Sequence, residues 1–214
     1  MKIFRFALDG YQADLFLMAI RSKRDVLSVW MNAIKVALAY WPVEAERVVA
    51  ELVIVSGSMS RMFVVTERKL YSVNFPFYVR LSEDGSPVFG SRGCENIDNR
   101  VTSEILSLLD TSTILDHDDV LHFAEPICDA CEIEGGLWVL LRELLTSEDG
   151  YLRYDYDDDP KRLDEKKHPL NHIDMFYSNG TTFKLGLHEK MGYDKMMSLI
   201  DVESNCHFLH MPYD

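Results

Sequence analysis

Long apolar runs are missing from this 214-residue chain. Its longer stretches, at 15–20, 36–41 and 137–141, fall far short of the roughly 18 residues that cross a bilayer. A secretory signal is missing too, because Asp9 follows Lys2 and Arg5 before any seven-residue apolar core can form. These absences predict a cytoplasmic protein with no membrane association. Four cysteines are too few for a disulfide framework of the small secreted kind, and 11 Gly and 7 Pro exclude a collagenous or low-complexity chain. Basic charge is scarce in one half only. Residues 1–107 hold 13 Lys or Arg against 12 Asp or Glu, whereas residues 108–214 hold 9 against 23, giving the formal net charge of −13. An acidic half repels phosphate backbones, which disfavours direct nucleic-acid binding by it and points to a partner protein with a basic surface. Such acidity also serves solubility alone.

What is present is ordinary globular composition, 47% apolar and 27% charged, enough for one α+β domain over 1–214. A subdivision at 1–110 and 111–214 is the alternative. The expected architecture is a helical N-terminal part followed by antiparallel sheet with helices packed on one face. An opening strand at 2–8 precedes apolar positions that recur every three or four residues at 13–20 and 26–40, and these predict helices. The second helix is apolar nearly all round, so Trp30 and Trp41 read as core. Short Val-, Phe- and Tyr-rich segments at 51–56, 61–66, 69–74 and 77–81 predict a meander, and 97–109 an amphipathic helix. An acidic linker at 110–119 leads to a short helix, then to a longer one from Pro126 to about 145, interrupted at Gly135-Gly136.

Most familiar sites are excluded by residue type. Gly90 and Gly93 lack the Lys of a phosphate-binding loop, and Asp157-Asp158-Asp159 lacks the Gly and Glu of a calcium loop. Cys128 and Cys131 form one C-x-x-C with Cys206, His207 and His210 about 75 residues away, but the spacing matches no zinc finger and the pair reads as small buried hydrophobes.

The segment 151–187 is the informative one. It predicts three strands. Asn179-Gly180 is a strong two-residue hairpin signal, pairing Phe176 with Phe183, Asp174 with Leu185 and His172 with Leu187. Alternation then puts His172 and Asp174 on a mainly apolar face, where they need partners. The preceding strand offers Arg153 and Asp155 on one face, with His168 arriving from the loop. Two readings compete. In one, Arg153 bridges the carboxylates and His172 donates to one of them, a structural network that fixes register. In the other, Asp155, Asp174 and His168 hold Mg²⁺ or Mn²⁺, while His172, Asp174, Asp155 and Arg153 form the catalytic set of a metal-dependent hydrolase or nuclease.

Through Arg153-Tyr154-Asp155, Asp159-Pro160, His168-Pro169, His172-Ile173-Asp174 and Phe183-Lys184-Leu185-Gly186-Leu187, the stretch 125–187 resembles a family of bacterial proteins that has no assigned activity. The resemblance implies a bacterial origin and supplies no catalytic residues. By loose analogy the polar pattern is similar to components of toxin–antitoxin or phage-defence systems. The leading expectation is therefore an interaction component of a larger complex, acting through its acidic half. The metal-dependent hydrolase is the alternative, and a small-ligand sensor using the same residues is a third. A final helix at 188–200, with Met191, Met196, Met197 and Leu199, is expected to pack internally, as such Met clusters more often do, or else to meet a partner.

Overall fold

The computed structural model describes residues 1–111, 135–178 and 180–208. Cys128, Cys131, Asn179, His210 and the short helix expected before Pro126 lie outside them.

The chain opens with β1 (Lys2–Leu8), α1 (Gly10–Leu17) and α2 (Lys23–Leu38). Both helices begin at capping boxes, Asp9 with Gln12 and Ser22 with Asp25, in which side chain and backbone satisfy each other's free donors. Strands β2 (Ala50–Ser56), β3 (Arg61–Val65) and β4 (Lys69–Asn74) follow, then the hairpin β5 (Tyr78–Leu81) and β6 (Pro87–Gly90). After α3 (Asn99–Thr111) and α4 (Gly135–Thr146) come β7 (Leu152–Tyr156), β8 (Asn171–Met175), β9 (Phe183–Leu187) and α5 (Tyr193–Ile200).

The fold is α+β. One seven-stranded sheet runs β1-β2-β3-β4-β7-β8-β9, antiparallel at every step, and β5–β6 forms a separate two-stranded sheet. Because β4 pairs directly with β7, the sheet crosses residue 110 without interruption. The N-terminal part is not simply helical, since β1 and β2 build one end of that sheet. Its helices lie on the face bearing Phe6, Leu52, Ile54, Met62, Val64 and Val73, and their buried residues, among them Phe16, Trp30, Ile34, Ile105 and Leu140, complete that core. Trp30 is fully buried and its indole N–H donates to the Asn74 carbonyl at 2.6 Å, tying α2 to the end of β4. Trp41 departs from expectation. It stands beyond the end of α2 and is 82% exposed.

Helices pack on both faces rather than one. Helix α5 covers the opposite face, where Met196 and Tyr193 meet Val53, Phe63, Leu70, Tyr154 and Ile173, and the Tyr193 ring stands edge-on to Phe63 at 5.2 Å. The internal packing expected of the final helix is thus observed. On the first face the buried core ends near β4, and among the described residues of the segment entering β7 it is continued by Tyr151, which is buried. The same face of β7, β8 and β9 carries polar residues instead.

Candidate metal centre

Alternation along β7 puts Arg153 and Asp155 on this face and Leu152, Tyr154 and Tyr156 on the other, as the residue pattern predicts. Each functional residue is then placed by the register. Arg153 pairs with Asp174, Asp155 with His172, Asp174 with Lys184, and His172 with Gly186. The expected hairpin register is wrong by one residue. Asp174 faces Lys184 instead of Leu185, and His172 faces Gly186 instead of Leu187. Phe176 causes the slip. It adopts a φ of 63° and leaves the ladder, so β8 ends at Met175 and pairs there with Phe183. The Ser178 carbonyl then accepts from the N–H groups of both Thr181 and Thr182, each at 3.0 Å, in a turn wider than a two-residue one. A one-residue slip exchanges the two faces of a strand, so Leu185 and Leu187 move to the α5 side and Lys184 joins the polar group.

His172 is 1% exposed and Asp174 6%. The Nδ1 of His172 lies 2.8 Å from the Pro169 carbonyl oxygen, which can only accept, so Nδ1 carries the proton. The proton cannot also reside on Nε2 in a neutral ring. Nε2 is buried without a hydrogen-bond partner among the described residues, 3.9 Å from Asp155 Oδ2 and 4.0 Å from Asp174 Oδ1. Burial, foremost, pushes the His172 pKa down, which favours the neutral ring at physiological pH. A lone pair therefore faces two carboxylates across distances too long for hydrogen bonds. That arrangement leaves three ligand-type atoms facing one another with no proton shared between them.

Two residues supply positive charge alongside. Arg153 donates from Nε to Asp155 Oδ2 at 2.7 Å and from Nη2 to Asp174 Oδ2, and Lys184 reaches Asp174 Oδ1 at 2.5 Å. Arg153 also donates to the Tyr151 hydroxyl at 3.3 Å. Burial, foremost, raises the Tyr151 pKa, so this phenol stays protonated. Next to Arg153 in the register, Tyr71 stacks on Tyr151, and its buried hydroxyl has no partner. A cleft of about 510 Å³ opens beside the centre, lined by Arg68, Lys69, Arg153, Asp155, Tyr156 and Arg162 among others. Arg68 pairs with Asp158 and Arg162 with Asp157 and Asp159, whereas the Lys69 ammonium makes no ion pair among the described residues.

Of the residues singled out from sequence, Arg153, Asp155, His172 and Asp174 converge. Asp155, His172 and Asp174 each offer a ligand atom, all within 4.8 Å of one another. His168, expected as a ligand, stands outside that group. Its ring meets the His172 ring edge-on at 4.4 Å while its Nε2 lies 4.0 Å from Asp157 Oδ2, and His172 rather than His168 stands with the two carboxylates. Of the network expected of a structural role, the Arg153 bridge between Asp155 and Asp174 is present, whereas His172 makes no hydrogen bond to either carboxylate. Lys184 and the Pro169 carbonyl are the additions that sequence reading missed. Lys184 was hidden by the register, but Pro169 three residues before His172 signals a carbonyl held at that distance. His207, on the opposite side of the zinc reading, is exposed and meets Ser198 Oγ at 3.1 Å, and Cys206 is exposed. No helix among the described residues is long and apolar enough to cross a membrane. No protein-family model, no curated protein and no solved structure matches the chain.

Proposed function

We propose that the chain is a divalent-cation-dependent hydrolase of phosphodiesters, with Asp155, Asp174 and His172 Nε2 as ligands of Mg²⁺ or Mn²⁺. The observation that carries this reading is the unpartnered, buried His172 Nε2 facing two carboxylates while Nδ1–H is tied to a carbonyl. An imidazole whose other nitrogen donates to a backbone carbonyl is the usual state of a metal ligand, because that bond fixes both tautomer and ring direction. Two carboxylates beside one imidazole suit a hard cation better than they suit zinc in a thiolate site.

A cation held by Asp155, Asp174 and His172 would supply a bound water of lowered pKa and a Lewis acid for a phosphoryl oxygen. Arg153 and Lys184 then neutralise the charge that builds on the phosphoryl oxygens, and Lys69, on the same face beside Asp155, draws a phosphate into the cleft. His172 acts here as a ligand rather than as an acid or base, since both of its nitrogens are committed.

The test is thermal unfolding of wild type and Asp174→Asn with Mg²⁺, Mn²⁺ or Zn²⁺, followed by hydrolysis assays on phosphodiesters. A cation at a hundredfold excess over its Kd stabilises by about 2.7 kcal/mol. The expected result is a rise in wild type with Mn²⁺ or Mg²⁺ that a folded Asp174→Asn lacks. No rise with any cation overturns the reading.

A second reading, an interaction component that meets a basic protein surface, is favoured by one feature of the sequence. Residues 108–134 hold eight Asp or Glu and no Lys or Arg. That concentration predicts complexes whose affinity falls steeply as salt rises, measurable in pull-downs across a salt series.

A further inference from the structure

A second pocket, of about 290 Å³, lies at the turn end of the β8–β9 hairpin. It shares Arg153 and Asp174 with the metal centre and is also lined by Arg21, Tyr151, Phe176, Phe183 and Lys184. We infer that this pocket takes a base of a single-stranded nucleic acid whose adjacent phosphate lies at the metal centre, an inference that rests on the hydrolase reading of that centre.

Two kinds of observation converge on it. The first is aromatic. Phe176 and Phe183 are about half exposed with ring centroids 6.1 Å apart, although neither is needed by either core. Phe176 is held there at a φ of 63°, a left-handed conformation that a bulky side chain rarely adopts, and among the described residues it is the only non-glycine with positive φ. A flat π-surface beside these rings gains stacking area that solvent does not provide.

The second is charge. Three cations, Arg21, Arg153 and Lys184, line the pocket against one carboxylate, Asp174, which already binds two of them. The Arg21 guanidinium makes no ion pair among the described residues, so it is available to a phosphate. Arg21 comes from the nearly neutral first half of the sequence, not from the acidic second half that disfavours nucleic acid on average. A duplex keeps its bases stacked and paired, so a pocket of this kind selects strands whose bases are free to splay out.

The experiment measures binding by fluorescence anisotropy, in EDTA and at low salt, of labelled eight-residue oligothymidylate, oligouridylate and an abasic octamer with the same number of phosphates. Stacking of one base predicts that a base-bearing strand binds about tenfold more tightly than the abasic strand. Binding of either base-bearing strand with that preference supports the proposal, and the tighter of the two assigns DNA or RNA. In Phe183→Ala the preference is expected to fall towards one. Equal affinity for base-bearing and abasic strands in wild type, or no binding of any strand, overturns the proposal whether or not the variant folds. Because no cation is present, a failed base preference is distinct from a failed hydrolase reading, which appears only as missing stabilisation by Mn²⁺.

Discussion

Replacing Arg153 by Met separates a cation site from a closed ion-pair network. The guanidinium contacts both Asp155 and Asp174, whose side chains are 16% and 8% exposed. Its loss leaves Asp155 with no ion partner except a neutral imidazole, and leaves Asp174 to Lys184 alone. Breaking a buried pair by removing one partner costs about 3–5 kcal/mol, and the open cleft beside Arg153 puts this case near the lower value, about 3 kcal/mol. For a chain of this size that corresponds to a melting temperature lower by roughly 6–12 °C. Addition of Mn²⁺ should then reverse much of the loss. A guanidinium about 5 Å from a cation repels it by about 3 kcal/mol per unit of cation charge at an effective dielectric constant of about 20, so the variant should bind Mn²⁺ at least about tenfold more tightly than wild type. Differential scanning fluorimetry across a Mn²⁺ series reads both effects. A variant that melts lower and gains no more from Mn²⁺ than wild type would show that the carboxylates are held only for the guanidinium.

His172→Gln should abolish stabilisation by Mn²⁺ in the same assay and should also change the pH dependence of folding. Burial holds the His172 pKa below its ordinary 6.5, so on acidification the unfolded chain takes up this proton first. The stability this ring contributes is therefore complete above pH 6.5 and is lost as pH falls towards the folded value. Urea midpoints between pH 7.5 and 5 should fall less steeply in His172→Gln than in wild type. Gly186→Ala would bring a Cβ to 3.1 Å from Pro169 Cγ, and the proline whose carbonyl holds His172 Nδ1 must move by a few tenths of an ångström. A cost of about 1 kcal/mol in urea unfolding, with weaker Mn²⁺ binding, is expected. Trp30→Phe removes the indole donor to the Asn74 carbonyl and should cost about 1–2 kcal/mol in the same measurement.

How much of this was legible in the sequence depends on the range of the determinant. Strand periodicity in 151–187 and the face shared by Arg153 and Asp155 are local properties of alternation, and both stand in the structure. The hairpin register was not legible, because the Asn-Gly signal assumes that strand geometry continues to the turn and Phe176 leaves it early. Without that slip Asp174 and His172 would face Leu185 and Leu187 across the second ladder and keep polar neighbours only on β7. With it they face Lys184 and Gly186, and Asp174 gains a second cation. The exposure of Trp41 has a similar origin, since helical periodicity does not announce that α2 ends at Leu38. His168 was expected to reach the ligands from the loop, but the bridge between Asp164 and His168 leaves its ring beside Asp157.

The pairing of β4 with β7 has a consequence for how the molecule folds. The meander β2–β4 closes through neighbouring turns, whereas joining β7 to it brings together residues such as Asn74 and Glu148, 74 positions apart, where the Asn74 side-chain amide donates to the Glu148 backbone carbonyl at 2.9 Å. Closing so long a loop costs conformational entropy before any contact repays it, so this docking step is expected late on the folding pathway. During synthesis from the N-terminus, the helices and first four strands emerge before β7 exists. The carboxylates and imidazole of the candidate centre are thus assembled on a template already built, and each β-strand that carries them is added at an open sheet edge.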